Sequence, residues 1–121
     1  MTNIPTERQN QDPSIRALRL DDLDSCLALS TEAGWNQNKN DWRLLLQVCS
    51  GYGIDVPGYG LAGTTMAWEL GERNAWINMV LVAKAYRGRG FARELMAACL
   101  GDLASAQRLA MLDATDLGFN V

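Results

Sequence analysis

The strongest constraint on the fold lies in the segment from Val80 to Ala92, where an apolar run passes through alternating arginine and glycine into a helical pattern. Its residues are V-L-V-A-K-A-Y-R-G-R-G-F-A. This order predicts a strand, a glycine-rich turn and the amino end of a helix in direct succession. Such a connection directs several backbone N–H groups into one small volume, and the helix dipole favours negative charge there. The segment therefore predicts a seat for an anion, and a ligand that carries phosphates fits it.

Length and composition are typical of a soluble, single-domain globular protein. The chain has 121 residues, of which 48% are hydrophobic and 21% charged, and its net charge is −3 with no histidine. Broad nucleic-acid binding needs a basic face, which this balance does not favour. The lack of histidine excludes imidazole chemistry and His-ligated metal sites. We therefore expect no nucleic-acid partner and no metal.

The cysteines and the amino-terminal residues indicate the compartment. Cys26, Cys49 and Cys99 lie far apart, each within an apolar helical pattern, and no pair has the spacing of a metal or redox motif. They are expected to be reduced, structural thiols. Residues 1–13 are polar and predict a flexible tail without a signal peptide, and no run approaches the ~20 apolar residues of a membrane span. We expect a cytoplasmic protein with no membrane contact.

Hydrophobic periodicity predicts the element order β-α-α-β-β-β-α-β for residues 14–121, which is an α/β fold with a mixed (α+β) sheet. A crossover helix between the last two strands requires them to be parallel. The predicted elements are a strand at 15–20, a helix from Asp21 or Asp22 to Gly34, a helix opened by Asn40 or Asp41 and ended by Ser50-Gly51, strands at 52–56, 60–70 and 75–82, a helix over 90–105 and a strand at 110–113.

The arginine-glycine loop supports more than one interpretation from its residues alone. Gly88 and Gly90 allow positive φ and let a ligand approach the backbone, and Arg87 and Arg89 carry guanidinium donors that match phosphate oxygens. Neither the P-loop ending G-K-S/T nor the dinucleotide motif G-x-G-x-x-G is present. A tight strand-to-helix connection with solubilising arginines fits the same letters. An RNA-binding arginine-glycine segment is disfavoured, because such segments are repetitive and disordered.

The run R-G-R-G-F-A from Arg87 to Ala92 resembles the Q/R-x-x-G-x-G/A signature of the GNAT superfamily of acyl-CoA-dependent N-acyltransferases. The wider run from Met79 to Met96 is similar to that family's strand-loop-helix core, and the element order resembles the amino-terminal three-quarters of its fold. The resemblance covers residues 14–121. It implies transfer of acetyl from acetyl-CoA to a primary amine, on a small molecule or a peptide, by direct attack in a ternary complex.

The resemblance also implies roles for individual residues. The pantetheine arm would lie along the strand at Val80, Leu81 and Val82, in a slot where strands 75–82 and 110–113 splay apart. A backbone N–H near Leu81 would polarise the acyl carbonyl. Trp35 would contact the acceptor, although its ring equally fits a corner between two helices. The coenzyme A pyrophosphate would be held by the backbone N–H groups of Arg87, Gly88, Arg89, Gly90, Phe91 and Ala92.

The catalytic base and acid stay unassigned. The acceptor amine must lose a proton, and four carboxylates are available for it without a spacing that marks one of them. Asn78, inside an apolar strand, fits either a group that orients a water or a satisfied buried amide. The four carboxylates are Glu32, Glu69, Asp113 and Asp116.

The resemblance ends before the family's final helix and two strands. That helix commonly carries a general-acid tyrosine, and no tyrosine follows Tyr86 here. The strand at 110–113 would then be an exposed edge, and the thioester slot would lack a wall. We expect an incomplete domain over 14–121: a fragment of a longer acyltransferase, or a domain completed by a partner or a second copy, or a decayed module. Of these the fragment is favoured, with weakened coenzyme binding and little turnover. A non-catalytic acyl-CoA-binding or interaction module is the alternative function.

Overall fold

The computed structural model describes residues 12–112, so most of the predicted tail and residues 113–121 lie outside the described part. Within the described residues, a five-stranded sheet in the order β1-β2-β3-β4-β5 carries three α-helices, which confirms the predicted fold class. Short 3-10 turns at Leu20–Asp22 and Lys84–Tyr86 precede two of the helices. The elements are β1 (Ser14–Ala17), α1 (Leu23–Glu32), α2 (Lys39–Val48), β2 (Ser50–Val56), β3 (Gly60–Leu70), β4 (Asn74–Val82), α3 (Phe91–Ser105) and β5 (Leu109–Leu112).

The crossover from β4 through α3 to β5 has the predicted parallel geometry. β1, β2, β3 and β4 pair antiparallel in sequence, whereas β5 runs parallel to β4, from Asn74 opposite Leu109 to Ile77 opposite Leu112. Ala75 and Ile77 are fully buried against the α3 side chains Cys99 and Leu103. The start of α3 is therefore fixed next to the end of β4, which positions the loop between them.

The first helix begins differently from the prediction. Asp22 precedes α1, but its side chain makes no cap bond to that helix. Its carboxylate instead accepts hydrogen bonds from the Arg16 guanidinium at 2.8 Å and 2.9 Å, and from the Arg19 N–H at 2.7 Å. The bonds from Arg16 lower the pKa of Asp22 below its ordinary value. The first strand also ends earlier, at Ala17, before the 3-10 turn.

The predicted bounds of the second helix are wrong at both ends. Asn38, not Asn40 or Asp41, caps α2: its side chain accepts the Asp41 N–H at 2.9 Å, and Asp41 accepts the Asn38 N–H at 3.0 Å. This reciprocal pair satisfies two free donors at once. Ser50 and Gly51 do not end the helix but begin β2. A Cβ on Gly51 would lie 2.5 Å from the Thr65 carbonyl oxygen, so close strand packing explains the glycine.

The three cysteines are free, and two of them lie in the core. Burial raises the pKa of Cys26 to about 12 and that of Cys99 to about 11. Cys49 is half-buried just after α2. Cys26 and Cys99 thus have the structural role predicted for them. Within residues 12–112, no helix has both the length and the apolar character needed to cross a membrane.

Candidate functional site

The loop between β4 and α3 has the backbone conformation that the two glycines predict. Gly88 and Gly90 have φ values of 80° and 84°, in the left-handed region. Gly90 is the N-cap of α3 and, without a side chain, makes no cap bond. An added Cβ at either glycine would meet nothing within 4 Å, so the backbone shape, not crowding, requires glycine. The space above both residues is open to a ligand.

Several backbone N–H groups lie close together where the loop meets α3. The first helical hydrogen bond of α3 runs from the Glu94 N–H to the Gly90 carbonyl at 3.0 Å. The N–H groups of the three preceding residues, 91–93, therefore point out of the helix end. Within residues 12–112, the N–H groups of Gly88, Arg89 and Gly90 also make no hydrogen bond. Unsatisfied donors at a helix amino end form an anion-binding concavity.

A cavity of about 170 Å³ opens at this concavity. Arg93, in the first turn of α3, also lines it and was missed by the sequence reasoning. Six of the predicted coenzyme-binding residues line the cavity, whereas Val80, Leu81 and Arg89 do not. The six are Val82, Arg87, Gly88, Gly90, Phe91 and Ala92.

The two loop arginines are held by contacts within the protein. The Arg87 Nε donates to the Val82 carbonyl at 3.0 Å, which ties the loop to the end of β4. The Arg89 guanidinium lies over the Tyr86 ring, 4.9 Å from its centroid. Tyr86 in turn stacks on Phe91, with 5.8 Å between ring centroids. Both arginines keep positive charge at the loop, and they also stabilise its shape.

Two of the carboxylates considered as bases have structural partners. Glu32, the last residue of α1, accepts the Lys84 N–H at 2.9 Å and so joins that helix to the entry of the loop. Glu69 forms an ion pair with Arg108, with 3.3 Å between Nε and Oε2. Asp113 and Asp116 lie outside the described residues. The geometry therefore selects no general base.

β4 carries a bulge between its two ends. The register with β3 shifts between Thr64 and Met66, so that Thr65 faces both Met79 and Val80. Met79 has a φ of 51°, uncommon for a residue with a side chain. The Thr64 hydroxyl donates to the Met79 carbonyl at 2.7 Å. No sequence pattern predicts this bulge, because neither its residue types nor its alternation departs from those of a buried strand.

Within residues 12–112, the edge of β4 next to β5 is only partly paired. The described pairing with β5 ends at Ile77, and β4 continues to Val82. The three residues predicted to line the pantetheine arm lie in this last part, where Leu81 and Val82 are buried and Val80 is half-buried. Their backbone groups on that edge have no strand partner within residues 12–112.

Neither Trp35 nor Asn78 lines the loop cavity. Trp35 follows α1, donates its N–H to the Ser30 carbonyl at 2.9 Å and packs half-buried against the core. The Asn78 Nδ2 donates to the Trp76 carbonyl at 3.1 Å. Its Oδ1 is buried and has no hydrogen-bond partner within the described part of the chain. Within that part of the chain one polar atom of the Asn78 amide is bonded and the other is not, so both interpretations of Asn78 stay predictions.

Comparisons with known proteins agree on one family. Residues 16–120 match the Acetyltransferase (GNAT) family. Among solved structures, a ribosomal-protein-alanine N-acetyltransferase from Brucella melitensis biovar Abortus 2308 superposes with a TM-score of 0.69 at 19% identity, over 88% of this chain and 82% of that one. Ard1 from Thermoplasma volcanium superposes with a TM-score of 0.76 at 19% identity, over 83% of this chain and 70% of that one.

A third structure, Rv2747 from Mycobacterium tuberculosis, was solved in complex with CoA and NLQ. It superposes with a TM-score of 0.74 at 18% identity, over 88% of this chain and 67% of that one. A comparison with curated proteins finds no match. At such identities the superpositions show the fold, and the match over residues 16–120 shows the family. The chain belongs to the GNAT family of acetyltransferases.

Proposed function

We propose that this chain binds acetyl-CoA through the loop between β4 and α3 and transfers the acetyl group to a primary amine. The observation that carries the proposal is the convergence of free backbone donors on the loop cavity. The N–H groups of residues 88–93 lie at the amino end of α3, and within residues 12–112 no side chain caps them. A pyrophosphate is the part of coenzyme A whose negative charge suits this group of backbone donors.

The end of β4 is the proposed binding site of the pantetheine arm of the coenzyme. The part of β4 from Asn78 to Val82 runs beyond its described pairing with β5 and leads directly into the loop. An extended pantetheine arm that follows this edge would pair with its backbone as an added strand does. Coenzyme A in the Rv2747 structure supports this ligand class for a protein of the same fold.

The reaction we propose is direct attack in a ternary complex. The neutral amine nitrogen forms a bond to the acyl carbon, the carbon–sulfur bond breaks, and coenzyme A leaves as a thiolate. The proton that the nitrogen gives up passes through water to this thiolate, which becomes the free thiol. Trp35, next to the α1–α2 connection, is the proposed contact for the acceptor. The acceptor class is a small-molecule or peptide amine, and the negative net charge of −3 favours a cationic one. Three free thiols support a reducing, cytoplasmic location.

Isothermal titration with acetyl-CoA tests the binding half of the proposal. Wild-type protein is expected to bind, whereas the double variant Gly88→Val, Gly90→Val is expected to lose binding, because valine disfavours the positive φ of both positions. Gly71→Val is the matched control, since Gly71 has a φ of 65° but lies in the β3–β4 turn. Undiminished binding by the double variant would contradict the proposal.

A non-catalytic interaction module is the second candidate, and β5 is the observation that favours it. Leu109, Met111 and Leu112 are 68%, 40% and 49% exposed on the strand that forms one edge of the sheet within residues 12–112. An exposed apolar edge pairs readily with another chain. Mass spectrometry of a panel of primary amines incubated with protein and acetyl-CoA separates the two functions. The enzyme yields acetylated amine above the protein-free rate, and the module binds acetyl-CoA without product.

A further inference from the structure

The bulge in β4 interrupts the hydrogen-bond ladder between β3 and β4 at Met79 and Val80. It lies just beyond Ile77, where the described pairing of β4 with β5 ends. Thr64 lies opposite Leu81 and Met66 lies opposite Asn78, so one β3 residue faces two residues of β4. A bulge of this kind takes backbone groups out of the regular ladder and re-aims them. The positive φ of Met79, 51°, marks the residue at which the β4 backbone turns.

The Thr64 side chain holds the β4 backbone at the bulge. Thr64 is fully buried, and its hydroxyl donates to the Met79 carbonyl at 2.7 Å. A trans peptide places its C=O and N–H on opposite sides, and the described chain contains no cis peptide bond. Because the Met79 carbonyl faces Thr64 on β3, the N–H of Val80 in the same peptide faces away from Thr64. β5 lies on the other side of β4 from β3.

We propose that Thr64 is a positioning residue: its hydroxyl fixes the Met79–Val80 peptide so that the Val80 N–H points at the acyl carbonyl of the bound thioester. This inference rests on the proposed function, and what it adds is the Thr64 hydroxyl that holds the backbone donor in place. The Val80 N–H donates a hydrogen bond that strengthens as negative charge develops on the carbonyl oxygen. Thr64 touches neither substrate and acts only through the backbone.

The neighbouring threonine provides a control within the same strand. Thr65 is as completely buried as Thr64, but its hydroxyl has no hydrogen-bond partner within the described part of the chain. Thr64→Val and Thr65→Val therefore remove the same atom from adjacent positions. Only the first removes a bond to the bulge.

Titrations with acetyl-CoA and with S-ethyl-CoA test the proposal, because the thioether has the same length but lacks the carbonyl. Wild-type protein is expected to bind acetyl-CoA about five-fold more tightly than S-ethyl-CoA, the effect of one net hydrogen bond. Thr64→Val is expected to reduce this ratio to about one with S-ethyl-CoA binding unchanged. Thr64→Ser, which keeps the hydroxyl, and Thr65→Val are expected to keep the ratio. A Thr64→Val protein with an undiminished ratio, or with equal losses for both ligands, overturns the proposal.

A measurement on wild-type protein decides the matter if Thr64→Val does not fold. In an NMR titration, the Val80 amide proton is expected to move downfield with acetyl-CoA and not with S-ethyl-CoA. The absence of that difference overturns the role of Val80. Equal affinity of wild-type protein for the two ligands refutes only this inference, whereas failure to bind either of them refutes the proposed function.

Discussion

Replacement of Gly90 by alanine tests whether the left-handed loop conformation prepares the anion site. Gly90 has a φ of 84°, and an added Cβ would meet nothing within 4 Å, so the whole cost is conformational. That cost is about 1–2 kcal/mol for a residue with a side chain. The loop is exposed and no side chain caps Gly90, so we expect the variant loop to relax in the free protein. Binding then has to restore the strained conformation at position 90, so coenzyme A affinity is expected to fall about 5- to 30-fold.

The matched variant Gly71→Ala has the same strain in a different place. Gly71 has a φ of 65° and equally open surroundings, but it lies in the β3–β4 turn. Its replacement is expected to lower Tm by about 4 °C per kcal/mol of strain and to leave coenzyme A affinity unchanged. Isothermal titration and thermal unfolding of both variants give the comparison. Coenzyme A affinity of Gly90→Ala within two-fold of that of Gly71→Ala would refute the reasoning.

Three further predictions concern the scaffold. Arg16 lowers the pKa of Asp22, so the folded state binds fewer protons than the unfolded state, and the free energy of unfolding falls as pH drops below about 4. In thermal unfolding across pH, Asp22→Asn should have a lower Tm at neutral pH and a smaller decrease of Tm in acid. Arg108→Met removes hydrogen bonds of 2.9 Å and 3.0 Å to the Gly71 and Asn74 carbonyls and should lower the free energy of unfolding by about 1–3 kcal/mol, measured with urea. An unchanged urea midpoint would show that these bonds do not stabilise the protein. Ser30→Ala leaves the fully buried Trp42 Nε1 without its 2.9 Å acceptor and should cost about 1–3 kcal/mol by the same assay, with no loss as the contrary result.

The strand-loop-helix unit could be predicted from the sequence because its signals are local. The apolar run of β4, the two glycines and the four-residue period of α3 each act over a few residues, and all three indicate the same geometry. β3 has the predicted bounds, 60–70, since glycine-rich turns flank it on both sides. The start of α2 was misplaced because Asn38, Asn40 and Asp41 are all good caps, and only the reciprocal bond between the first and the last selects one.

The bulge and its hydroxyl contact could not be predicted, because they depend on pairing across strands. Met79 has no composition signal for a positive φ, and Thr64 looks like any buried β-branched residue until β4 is placed beside β3. The same holds for Glu32, whose bond to the Lys84 N–H joins residues 52 positions apart. Roles for the predicted coenzyme-binding residues and for Trp35 remain predictions, since they require a bound ligand.

A crystal structure of this protein with coenzyme A tests the central claim most directly. The account predicts pyrophosphate oxygens within hydrogen-bonding distance of the N–H groups of residues 88–92, and a pantetheine arm extended along Val80, Leu81 and Val82. A coenzyme seated elsewhere on the protein, with these backbone donors still facing solvent, would contradict it.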